Sequence, residues 1–439
     1  MSVFRKYDFR GIYPSELDEK KAKKIAKAFV EVKGLPGKRI AVGRDIRRSS
    51  PKISEAVVEG IREQGCDVVD IGETATPVLY YEVVEDNLDG GAMVTASHNP
   101  KEYTGVRFCE EKGLDLTYEA GIKEMEEVHD SDFVSRERGS LAEKDVHEGF
   151  LEKVASSVSL EKEFKVVLDP GNGSASLFAE GAFERLGCKV EMINSKVDGT
   201  FPARGPDPVE NIGELGDVVV DKDADLGIAF DGDGDRGVFV DEEGKRVEND
   251  ILLALFVKNF AGENDVIVHD VKSSKVVEDI INEINAQDVS YRVGMSYIKR
   301  EMVERGAELG GEYTGHFFFR DNDYYDDPFY AAAKLLEVMD EKGKLSEIVK
   351  ELPEYHSSPE IRLACSNKEQ VPQKLKEEFS EQRIVSIDGA KIYFEDGWAL
   401  VRPSGTEDKI SLRFEAETEE KLKEIKENVM DKVEDYIKD

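Results

Sequence analysis

The chain has 439 residues, 40% of them hydrophobic, and this length predicts three or four domains rather than a single core. Its 94 acidic residues outnumber its 60 basic ones, and the net charge of −34 excludes nucleic acid and anionic membranes as expected partners. No apolar run is long enough to span a bilayer.

The amino terminus lacks the apolar core of a signal peptide, and the four cysteines are widely spaced, with no Cys-x-x-Cys pair. These features predict a cytoplasmic protein whose thiols stay reduced. We expect the acidic excess to reflect a salty cytoplasm, where ions screen the mutual repulsion of the carboxylates.

Three segments share one pattern, in which an apolar strand ends in aspartate and is followed by a loop, an amphipathic helix and a second strand. The first strands are residues 39–45, 164–169 and 265–270, and the second strands are residues 67–71, 189–193 and 289–293. The predicted apolar helix positions are Ile53, Val57 and Ile61; Leu177, Phe183 and Leu186; and Val276, Val277, Ile280, Ile281 and Ile284. The repetition predicts three related α/β modules, with working loops at the carboxyl ends of strands.

Residues 95–100, Thr-Ala-Ser-His-Asn-Pro, follow the apolar strand at residues 90–94. Pro100 biases Asn99 toward an extended backbone and so constrains the exit from the turn. The pattern predicts a tight turn that presents the Ser97 hydroxyl to a cleft. Ser97 is therefore the candidate reactive group.

The segment Asp231-Gly-Asp233-Gly-Asp235-Arg236 follows another apolar strand, at residues 226–230. Three carboxylates so close together repel one another unless a hard divalent cation neutralises them, and the glycines allow the loop to curl around the ion. An EF-hand is the rival metal site, because Glu242 falls at its twelfth position. Its sixth position requires glycine, and Arg236 stands there instead.

Two later loops also combine polar groups with glycine. Residues 310–316 carry Glu312, Thr314 and His316, and we expect the Glu312 carboxylate to accept hydrogen bonds from sugar hydroxyls. Residues 402–406 supply a guanidinium, two hydroxyls and backbone amides that suit a phosphate, and a further arginine follows a strand later. The members of this predicted phosphate cradle are Arg402, Ser404, Gly405, Thr406 and Arg413.

From about residue 359 the pattern changes. Strand-like runs at residues 361–364, 391–394, 398–401 and 410–414 accompany a helix with Val371, Leu375 and Phe379. A closing helix places Leu422, Ile425, Val429, Val433 and Ile437 on one face. Short turns favour an antiparallel sheet with helices on one side, a smaller α+β domain.

The motifs TASHNP, DGDGDR, GEYTGH and RPSGT, in this order, resemble the four signatures of the α-D-phosphohexomutase family, and residues 7–11, Tyr-Asp-Phe-Arg-Gly, match as well. The resemblance covers essentially the whole chain. It implies three related α/β domains with mixed sheets and a smaller C-terminal α+β domain around a central cleft. We place the boundaries at 1–147 (phosphoserine loop), 148–249 (metal loop), 250–357 (sugar-binding loop) and 358–439 (phosphate-binding domain).

The resemblance implies reversible transfer of phosphate between the 1- and 6-positions of a hexose, through a phosphoserine at residue 97 and a hexose 1,6-bisphosphate that also serves as activator. The implied catalytic residues are Ser97, His98, Arg10, Lys272 and Arg236, and the implied Mg²⁺ ligands are Ser97, Asp231, Asp233 and Asp235. The implied substrate-binding residues are Tyr7, Lys299, Glu312, Thr314, His316, Arg402, Ser404, Gly405, Thr406 and Arg413. Arg10, Lys272 and His316 are alternative proton-transfer groups, and His98 is expected to orient Ser97.

Within the family the chain most resembles the phosphomannomutase/phosphoglucomutase branch, which acts on mannose or glucose phosphates. It departs from the usual residues at Thr104, Arg107, Thr314 and Asp408, and Met295 stands where some relatives place histidine. The alternatives are a phosphoglucosamine mutase, a catalytically silent phosphosugar-binding protein and, as a lesser rival, a phosphatase. The sequence assigns neither the preferred sugar nor the oligomeric state.

Overall fold

The computed structural model describes residues 2–134, 136–404 and 408–438. The chain divides into two compact units. The first unit comprises Met1–Asn249 and Thr314–Ile348, and the second comprises Asp250–Tyr313 and Val349–Asp439. Within the described residues, no helix is both long enough and apolar enough to cross a lipid bilayer.

The first unit opens with a mixed sheet whose strands run in the order β1-β5-β4-β2-β3-β6. Strands β4, β2, β3 and β6 are parallel, whereas β5 is antiparallel to β4 and β1 is antiparallel to β5. As predicted, Ile53, Val57 and Ile61 are fully buried in the core under this sheet. The elements are β1 (Phe9–Ile12), α1 (Glu19–Val32), β2 (Arg39–Arg44), α2 (Ser50–Glu63), β3 (Asp67–Glu73), α3 (Thr76–Glu85), β4 (Gly90–Val94), β5 (Tyr103–Glu110), α4 (Lys123–Val128) and β6 (Leu141–Glu143).

A second mixed sheet follows in the same unit, in the order β11-β10-β9-β7-β8. Its parallel core is β9-β7-β8, and β10 and β11 are added antiparallel. The predicted helix position Leu177 is wrong, because this residue lies in a short 3₁₀ turn before the helix and is 37% exposed. The elements are α5 (His147–Ser156), β7 (Lys165–Asp169), α6 (Ala179–Arg185), β8 (Lys189–Met192), α7 (Leu215–Asp221), β9 (Leu226–Phe230), β10 (Gly237–Val240) and β11 (Arg246–Val247).

The second unit contains three parallel strands in the order β13-β12-β14. The predicted strand at residues 289–293 is displaced, because pairing with β12 begins at Gln287 and the chain leaves the sheet after Tyr291 to enter α10. In chain order, the elements between residues 249 and 349 are α8 (Asn249–Phe260), β12 (Val266–Asp270), α9 (Lys275–Glu283), β13 (Gln287–Tyr291), α10 (Met295–Arg305), β14 (Leu309–Gly311), β15 (Phe317–Phe319), α11 (Pro328–Lys342) and α12 (Leu345–Val349).

The predicted repeat is visible in these three sheets. In each, the first strand lies between the second strand and a third parallel strand, in the orders β4-β2-β3, β9-β7-β8 and β14-β12-β13. Each first strand leads to an aspartate whose Oδ1 accepts the N–H of the residue two positions later. The three bonds are Asp45 with Arg47 at 3.0 Å, Asp169 with Gly171 at 2.8 Å and Asp270 with Lys272 at 2.9 Å.

The remainder of the second unit confirms the predicted antiparallel sheet with helices on one side. Val371 and Leu375 of α13 and Val429 and Val433 of α14 pack on buried sheet residues that include Leu412. The elements are β16 (His356–Ser357), β17 (Ile361–Ala364), α13 (Gln370–Glu378), β18 (Arg383–Val385), β19 (Ala390–Phe394), β20 (Gly397–Pro403), β21 (Lys409–Ala416) and α14 (Glu419–Lys438).

Candidate active site

Ser97 lies in the turn that follows β4, with a φ of 48°. This left-handed backbone is unusual for a residue with a side chain, and the Ser97 N–H is held by Thr95 Oγ1 at 2.8 Å. The side chain is fully buried rather than open to a cleft, which corrects the expected exposure. The reason is that the neighbouring aspartate loop covers the hydroxyl.

The Ser97 hydroxyl donates to Asp231 Oδ2 at 2.9 Å and lies 3.2 Å from His98 Nδ1. Burial, together with the nearby guanidinium groups of Arg236 and Arg10, holds the pKa of His98 well below its usual value. The imidazole is therefore neutral and lies within hydrogen-bonding distance of the Ser97 hydroxyl.

The loop from 231 to 235 is curled around its first carboxylate. Asp231 Oδ1 accepts the backbone N–H groups of Gly234 at 3.0 Å, Asp235 at 3.1 Å and Arg236 at 3.2 Å. Burial and the carboxylates of Asp235 and Asp233 raise the pKa of Asp231 well above its usual value. This arrangement is the electrostatic conflict that a bound cation would relieve.

The three aspartates offer oxygens that all lie within 4.8 Å of one another. Asp233 Oδ2 accepts from the Thr76 hydroxyl at 2.7 Å, and Asp235 Oδ2 pairs with Arg107 at 2.6 Å. The other oxygen of each, Oδ1, is buried and accepts no hydrogen bond within the described chain. Buried carboxylate oxygens without donors suit a hard cation such as Mg²⁺, so the residues fit the predicted metal.

A second acidic group, Asp235, His316 and Asp326, is also compact. Both imidazole nitrogens of His316 are already engaged, Nδ1 with Asp326 at 2.8 Å and Nε2 as acceptor from Arg236 Nε at 2.9 Å. This group therefore supports Arg236 rather than a metal. Asp326 carried no signal in the sequence, because it is one of many acidic residues without a motif.

Arg10 stands on β1 against the turn that carries Ser97. Its guanidinium donates to Asn99 Oδ1 at 2.5 Å and to the carbonyl of Ala96 at 3.2 Å, and it pairs with Asp8 at 2.6 Å. Tyr7, three residues earlier, is partly buried. The structure thus brings Arg10, Ser97 and Asp231 to one end of the first sheet.

Sequence reasoning missed two buried arginines of the first unit, Arg47 and Arg204, whose side chains are almost completely shielded from solvent. Arg47 lies two residues beyond Asp45, at a strand end where working loops are expected, and this spacing was the available signal. Arg204 lies 35 residues beyond its partner Asp169, and no local pattern identified it.

In the second unit, Lys272 follows β12 and its ammonium pairs with Glu360 at 3.0 Å. Burial acts to raise the pKa of Glu360, but the Lys272 ammonium, the Ser411 hydroxyl and Arg362 together lower it to about 2. Lys299 is fully buried on α10, and Glu312 accepts the N–H of Gly294. Thr314, which belongs to the first unit, is partly buried.

The two arginines of the predicted cradle lie on one face of the pair β20-β21. Arg402 is opposite Ser411 and Arg413 is opposite Leu400, so both arginines point to the same side. Arg402 contacts Asp388 at 2.9 Å, whereas Arg413 is buried against Asp250 at 3.1 Å and over the ring of Tyr313. Ser404 donates its N–H to the carbonyl of Lys409 at 2.8 Å. Gly405 and Thr406 lie outside the described residues.

Models of one protein family match the chain in four parts. The family is phosphoglucomutase/phosphomannomutase. Its alpha/beta/alpha domain I matches residues 1–133, domain II matches 147–244, domain III matches 248–355 and the C-terminal domain matches 360–432. These matches agree with the predicted fold class and family.

Known proteins are similar over nearly the same length. A phosphomannomutase/phosphoglucomutase from Pseudomonas aeruginosa is 36% identical over 438 residues, covering 97% of this chain and 94% of the relative. A probable phosphoglucosamine mutase from Methanothermobacter thermautotrophicus is 36% identical over 414 residues, covering 91% and 90%. The crystal structure of a family protein from Burkholderia thailandensis has a TM-score of 0.91 at 32% identity, covering 98% of this chain and 96% of that one.

Proposed function

Because the chain belongs to the phosphoglucomutase/phosphomannomutase family of α-D-phosphohexomutases, we propose that it interconverts the 1- and 6-phosphates of mannose, glucose or both. The substrate is a small phosphosugar, and neither nucleic acid nor a membrane takes part. The observation that carries the proposal is the 2.9 Å contact between the Ser97 hydroxyl and Asp231, beside two buried aspartate oxygens that accept no hydrogen bond within the described chain.

The proposed reaction starts from Ser97 as phosphoserine. The bond between phosphorus and Ser97 Oγ breaks as a bond forms to a sugar hydroxyl, and that hydroxyl loses its proton. The product is a hexose 1,6-bisphosphate. It turns end for end, and its other phosphate returns to Ser97, leaving the isomeric monophosphate.

Asp231, Asp233, Asp235 and the Ser97 phosphate would hold Mg²⁺, which offsets negative charge during phosphoryl transfer. Arg10 holds the turn through Asn99 and Ala96, and neutral His98 orients the serine oxygen. Arg236 is aligned by His316, whose Nε2 accepts a hydrogen bond from Arg236 Nε. Arg10, Lys272 and His316 are the proposed candidates for proton transfer.

The remaining substrate-binding roles are assigned from the chemistry of the side chains. Glu312 and, from the first unit, Thr314 would grip sugar hydroxyls, and Lys299 and Tyr7 would contribute to substrate binding. The distal phosphate would be held by the cradle of Arg402, Ser404, Gly405, Thr406 and Arg413. We propose a cytoplasmic location and activation by a hexose 1,6-bisphosphate.

The test is a comparison of the 1-phosphates of mannose, glucose and glucosamine, with Mg²⁺ and glucose 1,6-bisphosphate, followed by ³¹P NMR. We expect kcat/KM for mannose or glucose 1-phosphate to exceed that for glucosamine 1-phosphate by about tenfold or more. The opposite order would assign the chain to the phosphoglucosamine mutases, which the Methanothermobacter relative favours. Release of inorganic phosphate alone would indicate a phosphatase, and no turnover by phosphorylated protein would indicate a silent binding protein.

A further inference from the structure

Arg47 is bonded to the whole turn that carries Ser97. The residue lies just beyond β2, and its side chain is entirely shielded from solvent. Its guanidinium donates to four backbone carbonyls, those of Ser97 at 2.6 Å, Asn99 at 2.6 Å, Pro100 at 2.7 Å and Tyr103 at 3.3 Å. One side chain therefore fixes the path of the turn from the serine to the start of β5.

The guanidinium is itself held in place from two other directions. Its Nε donates to Asp45 Oδ2 at 3.0 Å, and the ring of Phe201 lies 4.8 Å from its central carbon. A buried ion pair of this kind gives little net stability, because desolvation offsets most of the attraction. The role of Arg47 is geometric, because the planar guanidinium holds its five N–H donors in fixed directions and so fixes the positions of the carbonyls that it bonds.

The aspartate loop is held in a related way. Arg204 donates through Nε to Asp169 Oδ2 at 2.8 Å, and through Nη2 to the carbonyl of Phe230 at 2.6 Å. Asp169 is the repeat counterpart of Asp45, and Phe230 immediately precedes Asp231. A buried aspartate–arginine pair thus anchors each of the two loops at the end of its strand.

The two anchored loops meet at Ser97. The carbonyl oxygen of Ser97 that Arg47 holds would lie only 2.5 Å from a Cβ placed on Gly232, so the loops touch through backbone at this point. The hydroxyl of the same serine reaches Asp231 at 2.9 Å. Fixing the Ser97 carbonyl on one side and the Phe230 carbonyl on the other therefore fixes the distance between the serine oxygen and the metal loop.

We propose that Arg47 is a positioning residue for phosphoryl transfer, which keeps Ser97 in its left-handed conformation with Oγ aimed at the aspartate loop, and that Arg204 holds the aspartate loop in the same manner. This inference rests on the proposed function. Without Arg47 the Ser97 carbonyl loses a charged donor, and the turn relaxes toward a negative φ that carries Oγ away from Asp231.

The experiment measures two quantities on each variant, the rate at which glucose 1,6-bisphosphate phosphorylates Ser97, by intact-protein mass spectrometry, and the Mn²⁺ dissociation constant, by titration. For R47M we expect phosphorylation to slow by about a hundredfold, because a shift of about 1 Å has this effect on positioned groups. Its Mn²⁺ affinity should change less than that of R204M, because the three aspartates keep their loop in place. For R204M we expect the Mn²⁺ affinity to fall by about tenfold or more, as for other residues that support metal ligands.

Three controls separate positioning from folding. R62M removes a guanidinium that donates to one distant carbonyl, that of Gly139 at 3.0 Å, and both measured quantities should be unchanged. D45N/R47M leaves no unpaired charge in the core, so it should fold while phosphorylation remains slow. R47K keeps the positive charge but cannot span four carbonyls, and should recover only part of the rate.

The proposal would be overturned if folded D45N/R47M or R47K protein became phosphorylated at Ser97 at the wild-type rate. It would also be overturned if R47M and R204M lost phosphorylation rate and Mn²⁺ affinity to the same extent. If wild-type protein itself is never phosphorylated by the bisphosphate, the proposed function fails rather than the role of Arg47.

Discussion

Asp235 and Arg107 form a fully buried ion pair, 2.6 Å apart, at the edge of the predicted metal site. Burial alone would raise the pKa of Asp235, but Arg107, together with His316 and Arg236, lowers this pKa below its usual range. Asp235 is thus held as a carboxylate, with Oδ1 buried and accepting no hydrogen bond within the described chain. At the scale of single residues, each buried charge of the site is stabilised by an oppositely charged neighbour.

Replacement of Ser97 by alanine tests the nucleophile. Because the side-chain oxygen is the proposed carrier of phosphate, S97A should lower kcat by about ten-thousandfold or more. Binding of glucose 1-phosphate, measured by calorimetry, should remain, since other groups grip the sugar. S157A, which removes a hydroxyl bonded to the carbonyl of Val154, is the control. Near-normal turnover by S97A would exclude the assignment.

Replacement of Arg107 by methionine tests the charge balance. R107M leaves Asp235 buried without its cation, which should reduce the free energy of unfolding by about 3–5 kcal/mol in EDTA. Saturating Mg²⁺ should shrink this difference, because the variant site has one positive charge fewer and binds the cation more tightly. Urea unfolding followed by circular dichroism, with R107K as the charge-conserving control, measures both effects. Equal stability of R107M and wild type in EDTA would contradict the argument.

At the scale of elements, the C-terminal sheet has two different faces because side chains alternate along its strands. The residues Ala399 and Val401 of β20 pack on the helices α13 and α14. Trp398, on the other face, donates to Glu415 at 2.8 Å and lies under the ammonium of Lys391. One face is an apolar core, and the other is a buried polar layer.

Truncation of the helix α13 tests this packing. L375A removes a fully buried side chain from the apolar face and should cost about 2–5 kcal/mol. Trp398 is the only tryptophan of the chain and belongs to the same sheet, so its fluorescence should report unfolding of this domain at lower urea. Q373A, at an exposed position of the same helix, should leave the midpoint unchanged. An unshifted fluorescence midpoint for L375A would contradict the assigned core.

At the scale of the whole molecule, the main electrostatic feature is the net charge of −34. Some acidic groups are compensated locally, as Glu82 and Asp86 are by Lys144. The acidic residues still outnumber the basic ones over the whole chain. The mutual repulsion of these negative charges opposes the compact folded state. Salt should weaken that repulsion, because the Debye length falls from about 10 Å at 0.1 M to about 3 Å at 1 M.

A melting series in KCl tests the predicted adaptation to a salty cytoplasm. We expect the melting temperature to rise by several degrees between low salt and molar KCl. Sucrose is the control, because it is excluded from protein surfaces without screening charge. A melting temperature that is highest at low ionic strength would refute the expectation.

The predicted part of the secondary structure followed from the sequence, because strands and amphipathic helices depend on the spacing of apolar residues along contiguous chain. Other helices, such as α1, α3 and α11, were not predicted. The three strand–aspartate modules and the C-terminal sheet were predicted in this way, and the errors lie at element ends such as Leu177, where a 3₁₀ turn replaces helix. The pairing of Ser97 with the aspartate loop was inferred from motif order and family resemblance.

The sequence by itself determined which chemical groups are available: a serine in a tight turn, three aspartates spaced by glycine, and arginines near strand ends. Only the tertiary structure decided that Arg47 holds the Ser97 turn, that Arg204 anchors the aspartate loop, and that His316 supports Arg236. The physical reason is that a hydrogen bond depends on which atoms meet within about 3 Å. For Arg47 and the Ser97 carbonyl those atoms are separated by 50 positions of chain, and the packing of strands and helices alone brings them together.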